Sequence, residues 1–356
     1  MRRCTGSSSR TTDRPVTLLE HAWQSRWHPL SWLLLPLSWV FSGVAALRRL
    51  GFRRGWKPVV SAAVPVIVVG NLSVGGVGKT PLVLWLASRL RDQGWRVGIV
   101  SRGYGRQSTG LQRADAHSEA RLVGDEPLLF ARAGFPVAVA ERRVQAAQAL
   151  ERDVDIVIAD DGLQHYAMAR AAEIVVVDGK RGFGNGRALP AGPLREPVSR
   201  LASVDLVLVR DGDPEDVLPA SNVDMFRYDV EPSVLQSLDG RNSCSLTDWR
   251  GRRVHAVAGI GFPERFFAAL EAVGLRVIPH AFADHHDFRV DDLAFGDDLP
   301  VLMTGKDAVK CRGFAQADWW VVDVAVHTGP ALDAAIDRLT RRVLGAGNGT
   351  TESLGE

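Results

Sequence analysis

The chain has 356 residues, of which 46% are hydrophobic and 24% charged, and its formal net charge is +2. This composition is typical of a globular protein and excludes a chain that is disordered throughout, while the length favours a two-domain α/β enzyme over one small domain. The three cysteines, Cys4, Cys244 and Cys311, are too widely spaced to predict a disulfide framework or a metal cluster. We therefore expect a protein of a reducing compartment.

Positive charge is concentrated at the start of the sequence. Residues 1–57 hold ten Lys or Arg against Asp13 and Glu20, a balance of +8, which leaves 33 basic and 39 acidic residues, or −6, for the rest. Residues 1–19 lack the apolar core and the cleavage site of a secretory signal. We expect them to form a disordered extension.

Residues 20–57 are predicted to form a membrane-associated helical segment. Leu30–Leu47 (LSWLLLPLSWVFSGVAAL) is a run of eighteen residues without a charge, and five of the ten tryptophans lie in residues 20–57. Because both flanks are basic and Pro36 interrupts the run, we favour a helix that lies in the membrane interface over a true span. A helix buried in the core of the enzyme is the third possibility. The expected partner of this segment is an anionic membrane surface.

Residues 58–225 predict repeated strand, loop and helix units. The candidate strands are continuous apolar runs, as in a parallel sheet covered on both faces: VPVIVVGN, WRVGIVS, FPVAVA, VDIVIAD, AEIVVVD and VDLVLVR. Their spacing leaves room for helices such as Lys79–Asp92 and Glu141–Glu151. Residues 226–345, with shorter strands and a helix over Pro263–Val273, predict a smaller C-terminal α/β lobe, and residues 346–356 a disordered tail.

The first candidate strand runs into a glycine-rich loop, LSVGGVGKTP, at a strand-to-helix junction. Glycines let backbone N–H groups approach phosphates, Lys79 can reach the β and γ oxygens of a nucleotide, and Thr80 can ligate Mg²⁺. The nucleotide-binding residues are predicted to be Ser73, Val74, Gly75, Gly76, Val77, Gly78, Lys79 and Thr80. Ser73 stands where the motif G-x-x-x-x-G-K-[ST] has its first glycine, so the alternative is a glycine-rich turn with a solvated lysine. The fold class predicted is a P-loop NTPase-like parallel sheet flanked by helices.

The candidate strand VDIVIAD ends in Asp160 and Asp161, a position suited to holding Mg²⁺ directly or through water, although two helix-capping aspartates would look the same. The phosphate loop alone does not separate a kinase from a GTPase switch or a partitioning ATPase. TGKDAVK at 304–310 has the letters of a guanine-reading motif out of register, and Val74 stands where partitioning ATPases often carry a lysine. Both observations weaken the switch interpretations.

Between about residues 20 and 325 the sequence resembles the tetraacyldisaccharide 4'-kinase family. The resemblance depends on eight segments that occur in order: VGNLSVGGVGKTP (69–81), SRGYG (101–105), VGDEPLL (123–129), DDGLQH (160–165), VVDGKRGFGNGRALPAGPLREP (176–197), AGIGFPERFF (258–267), FADHHDF (282–288) and TGKDAVK (304–310). In the last segment Gly305 replaces an expected glutamate, so no essential chemistry is assigned to that position.

The resemblance implies transfer of the γ-phosphoryl group of ATP, with Mg²⁺, to the 4' hydroxyl of a tetraacyl glucosamine disaccharide 1-phosphate. The product would be the bis-phosphorylated lipid A precursor, made at the cytoplasmic face of the bacterial inner membrane by a peripheral or monotopic enzyme. The lipid disaccharide is the expected substrate. We expect no nucleic-acid partner and no obligate protein partner.

The resemblance also implies roles for individual residues. Asp125 would be the base that accepts the hydroxyl proton, oriented by His285, with His286 as the second choice, while Lys79 would act on the phosphates. Thr80, Glu126, Asp160 and Asp161 would form the Mg²⁺ shell. The candidates for contact with the substrate are Arg102, Tyr104, Gln164, His165, Asn185 and Arg195.

Two other classes of protein remain open on the residues alone. A membrane-bound ATP switch would release free phosphate, and a soluble small-molecule kinase would not need residues 1–57. Acceptor dependence separates the first of these from a lipid kinase.

Overall fold

The computed structural model of the protein describes residues 18–218 and 223–348. Most of the predicted N-terminal extension, 1–19, and most of the predicted tail, 346–356, lie outside these residues. Leu18 and Leu19 begin the first helix, and residues 346–348 belong to the last.

Three helices precede the sheet: α1 (Leu18–Gln24), α2 (Pro29–Leu33) and α3 (Leu35–Arg53). The His28 side chain caps α2 by accepting a hydrogen bond from the N–H of Leu30. Leu34 separates α2 from α3, and Pro36 lies in the first turn of α3, where a missing N–H has no cost. Within residues 18–218 and 223–348, we find no helix that combines the length and apolarity needed to cross a membrane.

The larger of two compact units is built on a mostly parallel sheet. Its strands are β1 (Val66–Gly70), β2 (Val97–Ser101), β3 (Gln112–Ala114), β4 (Val137–Val139), β5 (Ile156–Asp160), β6 (Ala172–Asp178), β7 (Leu206–Arg210) and the first part of β8 (Met225–Ser237). Its helices are α4 (Lys79–Asp92), α5 (Ala120–Val123), α6 (Asp125–Arg132), α7 (Arg143–Leu150) and α8 (Pro214–Val217), with a 3₁₀ helix at Val198–Ser203. Helix α4 has the predicted bounds.

The strand order in this unit is β8-β7-β6-β1-β5-β2-β4-β3, and only β3 runs antiparallel to its neighbour. Strands β1, β2 and β5 are buried along their whole length, because helices cover both faces, and this explains their Val- and Ile-rich sequences. In the register between β1 and β5, Val69 lies opposite Asp160. The phosphate loop and the Asp160–Asp161 pair therefore follow neighbouring strands at the same sheet edge. The predicted α/β fold class is confirmed.

The smaller unit comprises residues 232–323. The second part of β8 pairs antiparallel with β9 (Ser243–Ser245), and four parallel strands follow the order β11-β10-β12-β13. These are β10 (Arg253–Ala258), β11 (Arg276–Ala281), β12 (Val301–Thr304) and β13 (Trp319–Thr328), with helices α9 (Pro263–Val273) and α10 (Gly305–Cys311) and 3₁₀ helices at Leu246–Trp249, Val290–Leu293 and Arg312–Phe314. Helix α9 has the predicted bounds, and Leu270 on it packs into the core with Val254 and Leu302.

The last helix, α11 (Pro330–Asn348), was not predicted from the sequence. Residues 324–348 belong to the larger unit, although residues up to 345 were predicted to belong to the smaller lobe. Arg89 of α4 forms ion pairs with Asp333 and Asp337 of α11, at 3.3 and 3.0 Å.

Candidate active site

The phosphate loop connects β1 to α4 through residues 71–78. Gly75 and Gly78 have φ of 95° and 76°, left-handed values that residues with a side chain rarely adopt. Gly78 is the N-cap of α4 and has no side chain to satisfy the N–H groups of the first turn, and that turn contains no acidic residue. This end of α4 is suited to an anion such as a nucleotide phosphate.

The loop is fastened to the segment 193–195. The N–H of Val74 donates to the carbonyl of Pro193 at 2.8 Å, and the N–H of Arg195 donates to the carbonyl of Leu72 at 2.6 Å. Val77 is buried. Val74 was predicted to be one of the nucleotide-binding residues. Because its N–H is engaged by Pro193, Val74 instead positions the loop.

Lys79 is held by two partners at the ends of strands. Its ammonium donates to Asn71 Oδ1 at 2.9 Å and forms an ion pair with Asp161 at 3.2 Å. Asn71 is fully buried, and its amide nitrogen also donates to the carbonyl of Ser73. The sequence analysis did not single out Asn71; the available signal was a polar residue directly after a buried apolar strand.

The carboxylate of Asp161 is neutralised by cations. Arg195 lies 3.1 Å from it, in addition to Lys79, and Asp161 has a left-handed φ of 49° that turns the chain sharply at the end of β5. Burial by itself would raise the pKa of this carboxyl, but the charges of Lys79, Arg195 and Arg143 outweigh that effect and hold the pKa well below its usual range. In the structure, Asp161 positions two cations, Lys79 and Arg195, through ion pairs, while its part in the Mg²⁺ shell stays a prediction. Asp160 is buried at the end of β5.

Arg143, the first residue of α7, is a buried arginine that the sequence analysis missed. Its Nη2 donates to the carbonyl oxygen of Asp161 at 2.7 Å, and the nearby charges of Arg102 and Arg195 act on it. Burial lowers the pKa of Arg143, and the two arginines lower it further, while Asp161 and Asp160 oppose the shift. Nothing local in ERRVQAAQAL marks this residue, because its role depends on where α7 packs. Together these cations create a strongly positive site beside the phosphate loop.

Thr80 and the start of α6 bring oxygen ligands together. The Thr80 hydroxyl donates to Glu126 Oε1 at 3.1 Å, and Asp125, the first residue of α6, is 8% exposed. Among the described residues, no three His, Cys, Asp or Glu side chains are grouped closely enough to hold a metal by themselves. Mg²⁺ in nucleotide sites takes one or two protein oxygens and completes its shell with phosphates and water, so the Thr80–Glu126 pair fits it.

Gln164 and His165 lie in the loop after β5. The Gln164 amide donates to the carbonyl of Asn71 at 3.2 Å and accepts from Arg195 at 3.5 Å, so it spans the two segments that frame Lys79. Burial, with the charges of Arg143 and Arg170, lowers the pKa of His165 to about 4. His165 is therefore neutral at physiological pH.

The three remaining substrate candidates of this unit differ in position. Arg102 and Tyr104 are exposed, on a loop whose Gly103 packs against Gly124 at the start of α6. Asn185, in contrast, is 4% exposed, and its amide nitrogen donates to Ala191, Ser31 and Ala22 at 2.8 to 3.4 Å. The structure assigns Asn185 a structural role, because its side chain joins the loop 185–195 to the N-terminal helices.

The two candidate histidines belong to the smaller unit. His286 is engaged locally: its Nε2 lies 3.0 Å from Asp292, and its ring packs on Phe282 and Phe288. His285 has a left-handed φ of 62°, its N–H donates to the carbonyl of Gly259 at 3.3 Å, and its side chain is 25% exposed. A residue held in this conformation is typical of functional sites, which favours His285 over His286.

Comparison with known proteins assigns the family. The family model described as Tetraacyldisaccharide-1-P 4'-kinase matches residues 30–341. The chain is 49% identical to Tetraacyldisaccharide 4'-kinase of Dechloromonas aromatica over 91% of its own length and 98% of that protein, and 47% identical to the enzyme of Pseudomonas aeruginosa over 89% and 95%. The chain belongs to the tetraacyldisaccharide 4'-kinase family. This confirms the resemblance found in the sequence.

A solved structure of the family supports the assignment. The crystal structure of LpxK from Aquifex aeolicus in complex with ATP aligns with a TM-score of 0.75 and 28% identity, covering 88% of this chain and 99% of that one. Because the tetraacyldisaccharide 4'-kinase family accounts for nearly the whole chain, the GTPase and partitioning-ATPase interpretations are set aside.

Proposed function

We propose that the protein transfers the γ-phosphoryl group of ATP to the 4' hydroxyl of a tetraacyl glucosamine disaccharide 1-phosphate in lipid A biosynthesis. The observation that carries this proposal is the arrangement at the phosphate loop of a family member. Lys79 lies at the N-terminus of α4, and both Lys79 and Arg195 form ion pairs with Asp161. Asp125 directly precedes Glu126, the partner of Thr80.

Phosphoryl transfer requires positioned reactants and compensation of negative charge. The glycine loop and the first turn of α4 bind the phosphates of ATP, and Lys79 compensates the negative charge of the β and γ oxygens. Arg195 and Arg143 add positive charge beside them. Thr80 and Glu126 would hold Mg²⁺, and Asp160, buried at the end of β5, is the further candidate ligand. The ion would supply further charge compensation on the phosphates.

The acceptor side requires a base. Asp125 accepts the proton of the 4' hydroxyl as that oxygen attacks the γ-phosphorus and the bond to the β-phosphate oxygen breaks. The proximity of Asp125 to Glu126 in sequence keeps the base beside the group that accepts the Thr80 hydrogen bond.

We also propose that helices α2 and α3 bind the cytoplasmic face of the inner membrane. Leu33, Leu37, Val40, Val44 and Leu47, each 61–77% exposed, repeat at helical spacing and form one apolar stripe. The opposite face is buried and polar: Ser31 donates to Ala22, and Ser38 donates to Ala188. An apolar outer face with arginines after it favours binding to an anionic bilayer without spanning it.

The function is tested by following labelled γ-phosphate from ATP to a tetraacyl disaccharide 1-phosphate in detergent micelles. We expect label on the lipid with the wild-type chain and a loss of at least 100-fold in both Lys79→Ala and Asp125→Asn, since each removes a group used in the transfer step. Exposed Arg227→Ala, in β8, is the matched control. Label released only as free phosphate, whether or not lipid is present, would replace the kinase with an ATP switch.

A further inference from the structure

Strand β7 ends at Arg210, and its guanidinium lies directly against the phosphate loop. A Cβ atom on Gly78 would come within 1.9 Å of Arg210 Nη1 and 2.8 Å of its Cζ. The Arg210 side chain is only 17% exposed. Gly78 thus has to be glycine for two reasons, its left-handed φ and the guanidinium that occupies the space of a side chain.

A neighbouring acid holds this guanidinium in place. Asp211 Oδ2 lies 2.9 Å from Arg210 Nε, and Asp211 itself has a left-handed φ of 53°. Two backbone contacts to β8 fix Asp211: its N–H donates to the carbonyl of Tyr228 at 3.0 Å, and its Oδ1 accepts from the N–H of Val230 at 3.2 Å. The direction of Arg210 is therefore set by the pairing of β7 with β8.

The position of this charge favours a bound anion. The N-terminus of α4 carries the positive end of the helix dipole, and Lys79 lies in its first turn. Arg210 adds a second cation beside Gly78, next to the carboxylate of Asp211 and opposite Asp178 in the pairing of β6 with β7. Arg195 and Arg143 belong to the side of Asp161 and β5, whereas Arg210 approaches from β7, on the other side of β1 in the strand order.

We propose that Arg210 is a positioning residue for the nucleotide phosphates. It supports Gly78 from the β7 side, so that the N–H groups of the loop face the phosphates, and its charge increases the affinity for ATP and ADP. This inference rests on the proposed ATP site and extends it to a residue outside the eight segments that carry the family resemblance.

The test measures ATP and ADP binding to the full chain by calorimetry, and melting temperatures with and without nucleotide. We expect Arg210→Ala to weaken both nucleotides about tenfold, which corresponds to about 1.4 kcal/mol, with Arg210→Lys in between. The KM for the lipid acceptor should stay unchanged. Without nucleotide the melting temperature should fall, because Asp211 loses its ion pair, and the increase caused by ATP should shrink as well.

Arg227→Ala is the matched control, since Arg227 is exposed and pairs with Asp229 on the neighbouring strand. Unchanged nucleotide affinity in Arg210→Ala, or a lower melting temperature with an unchanged ATP-induced increase, would make Arg210 a purely structural residue and overturn the inference. No nucleotide binding by the wild-type chain would overturn the proposed function itself, so the two failures are distinct.

A double-mutant cycle tests the contact with Gly78 directly. Gly78→Ala should weaken ATP binding more in the presence of Arg210 than in the Arg210→Ala background, because only the former places a methyl group against the guanidinium. Equal losses in both backgrounds would show that Arg210 and Gly78 act independently, and would contradict the proposed support of the loop.

Discussion

At the scale of single residues, the site is a balance of charges around one carboxylate. Asp161 lies between Lys79 and Arg195, and its backbone carbonyl accepts from Arg143. The ionised carboxylate offsets the repulsion among these three cations. Their charges outweigh the effect of burial and hold its pKa well below the usual range.

Asp161→Asn should therefore destabilise the chain by about 1 to 3 kcal/mol at pH 7, the usual effect of leaving partly buried charges without a counter-charge. Because the folded-state pKa of Asp161 lies below its unfolded value, its stabilisation is present above about pH 4 and is lost as the pH falls further. Urea unfolding from pH 7 to pH 2 measures this. A variant as acid-sensitive as the wild-type chain would contradict the charge balance.

His165 predicts a second, milder pH dependence. Its pKa is lowered from 6.5 to about 4, by burial first and then by nearby arginines, so the unfolded chain binds more protons between these values. Stability should consequently fall as the pH drops from 6.5 to 4. In His165→Asn this fall should be smaller, with the exposed His117→Asn as the control; equal slopes in both variants would exclude the contribution of His165.

At the scale of elements, the N-terminal helices are polar on their buried face and apolar on their exposed face, the reverse of a surface helix in a typical globular protein. Serines face the protein, and leucine, valine and tryptophan side chains face outward. The buried amide of Asn185 fastens these helices to the loop that carries Arg195. The outward face therefore contributes little to folding and is available for a lipid surface.

Leu37→Asp with Val44→Asp should reduce co-sedimentation with vesicles of anionic phospholipid at least tenfold, because two carboxylates would have to enter the apolar layer. The melting temperature should change little, since both side chains are exposed. Leu111→Asp, an exposed leucine outside these helices, is the control. Undiminished vesicle binding by the double variant would refute the membrane-binding face.

At the scale of the whole molecule, the larger unit is made from two stretches of chain. Helix α11 buries Leu332, Ile336, Leu339 and Val343 at helical spacing, and its acidic residues bind Arg89. The second stretch follows the smaller unit in the sequence, so the chain returns to the larger unit at residue 324. A division into two consecutive domains would cut across the larger unit.

A chain that ends at residue 329 should not show cooperative thermal unfolding of the larger unit. Burial of four large side chains is worth about 1.5 to 3 kcal/mol each, which is comparable with the total stability of a domain. Circular dichroism against temperature measures this, and a chain that ends at residue 348 is the control. Equal transitions in the two chains would make α11 dispensable.

The sequence by itself determined the family, the α/β class, the bounds of α4 and α9, and the phosphate loop with Lys79 and Thr80. These follow from local patterns: apolar runs, helix starts, glycines at a strand-to-helix junction, and motifs in a fixed order. These predictions were accurate because each pattern on which they depend is complete within about fifteen residues.

Only the tertiary structure decided which side chains meet. The structure adds Asn71, Arg143 and Arg210 to the candidate site residues. It also pairs Asp161 with Lys79, gives Asn185 a structural role and assigns α11 to the larger unit. The physical reason is that partners at a sheet edge depend on strand order, here β7-β6-β1-β5, which long-range parallel pairing sets. Local periodicity carries no information about that order.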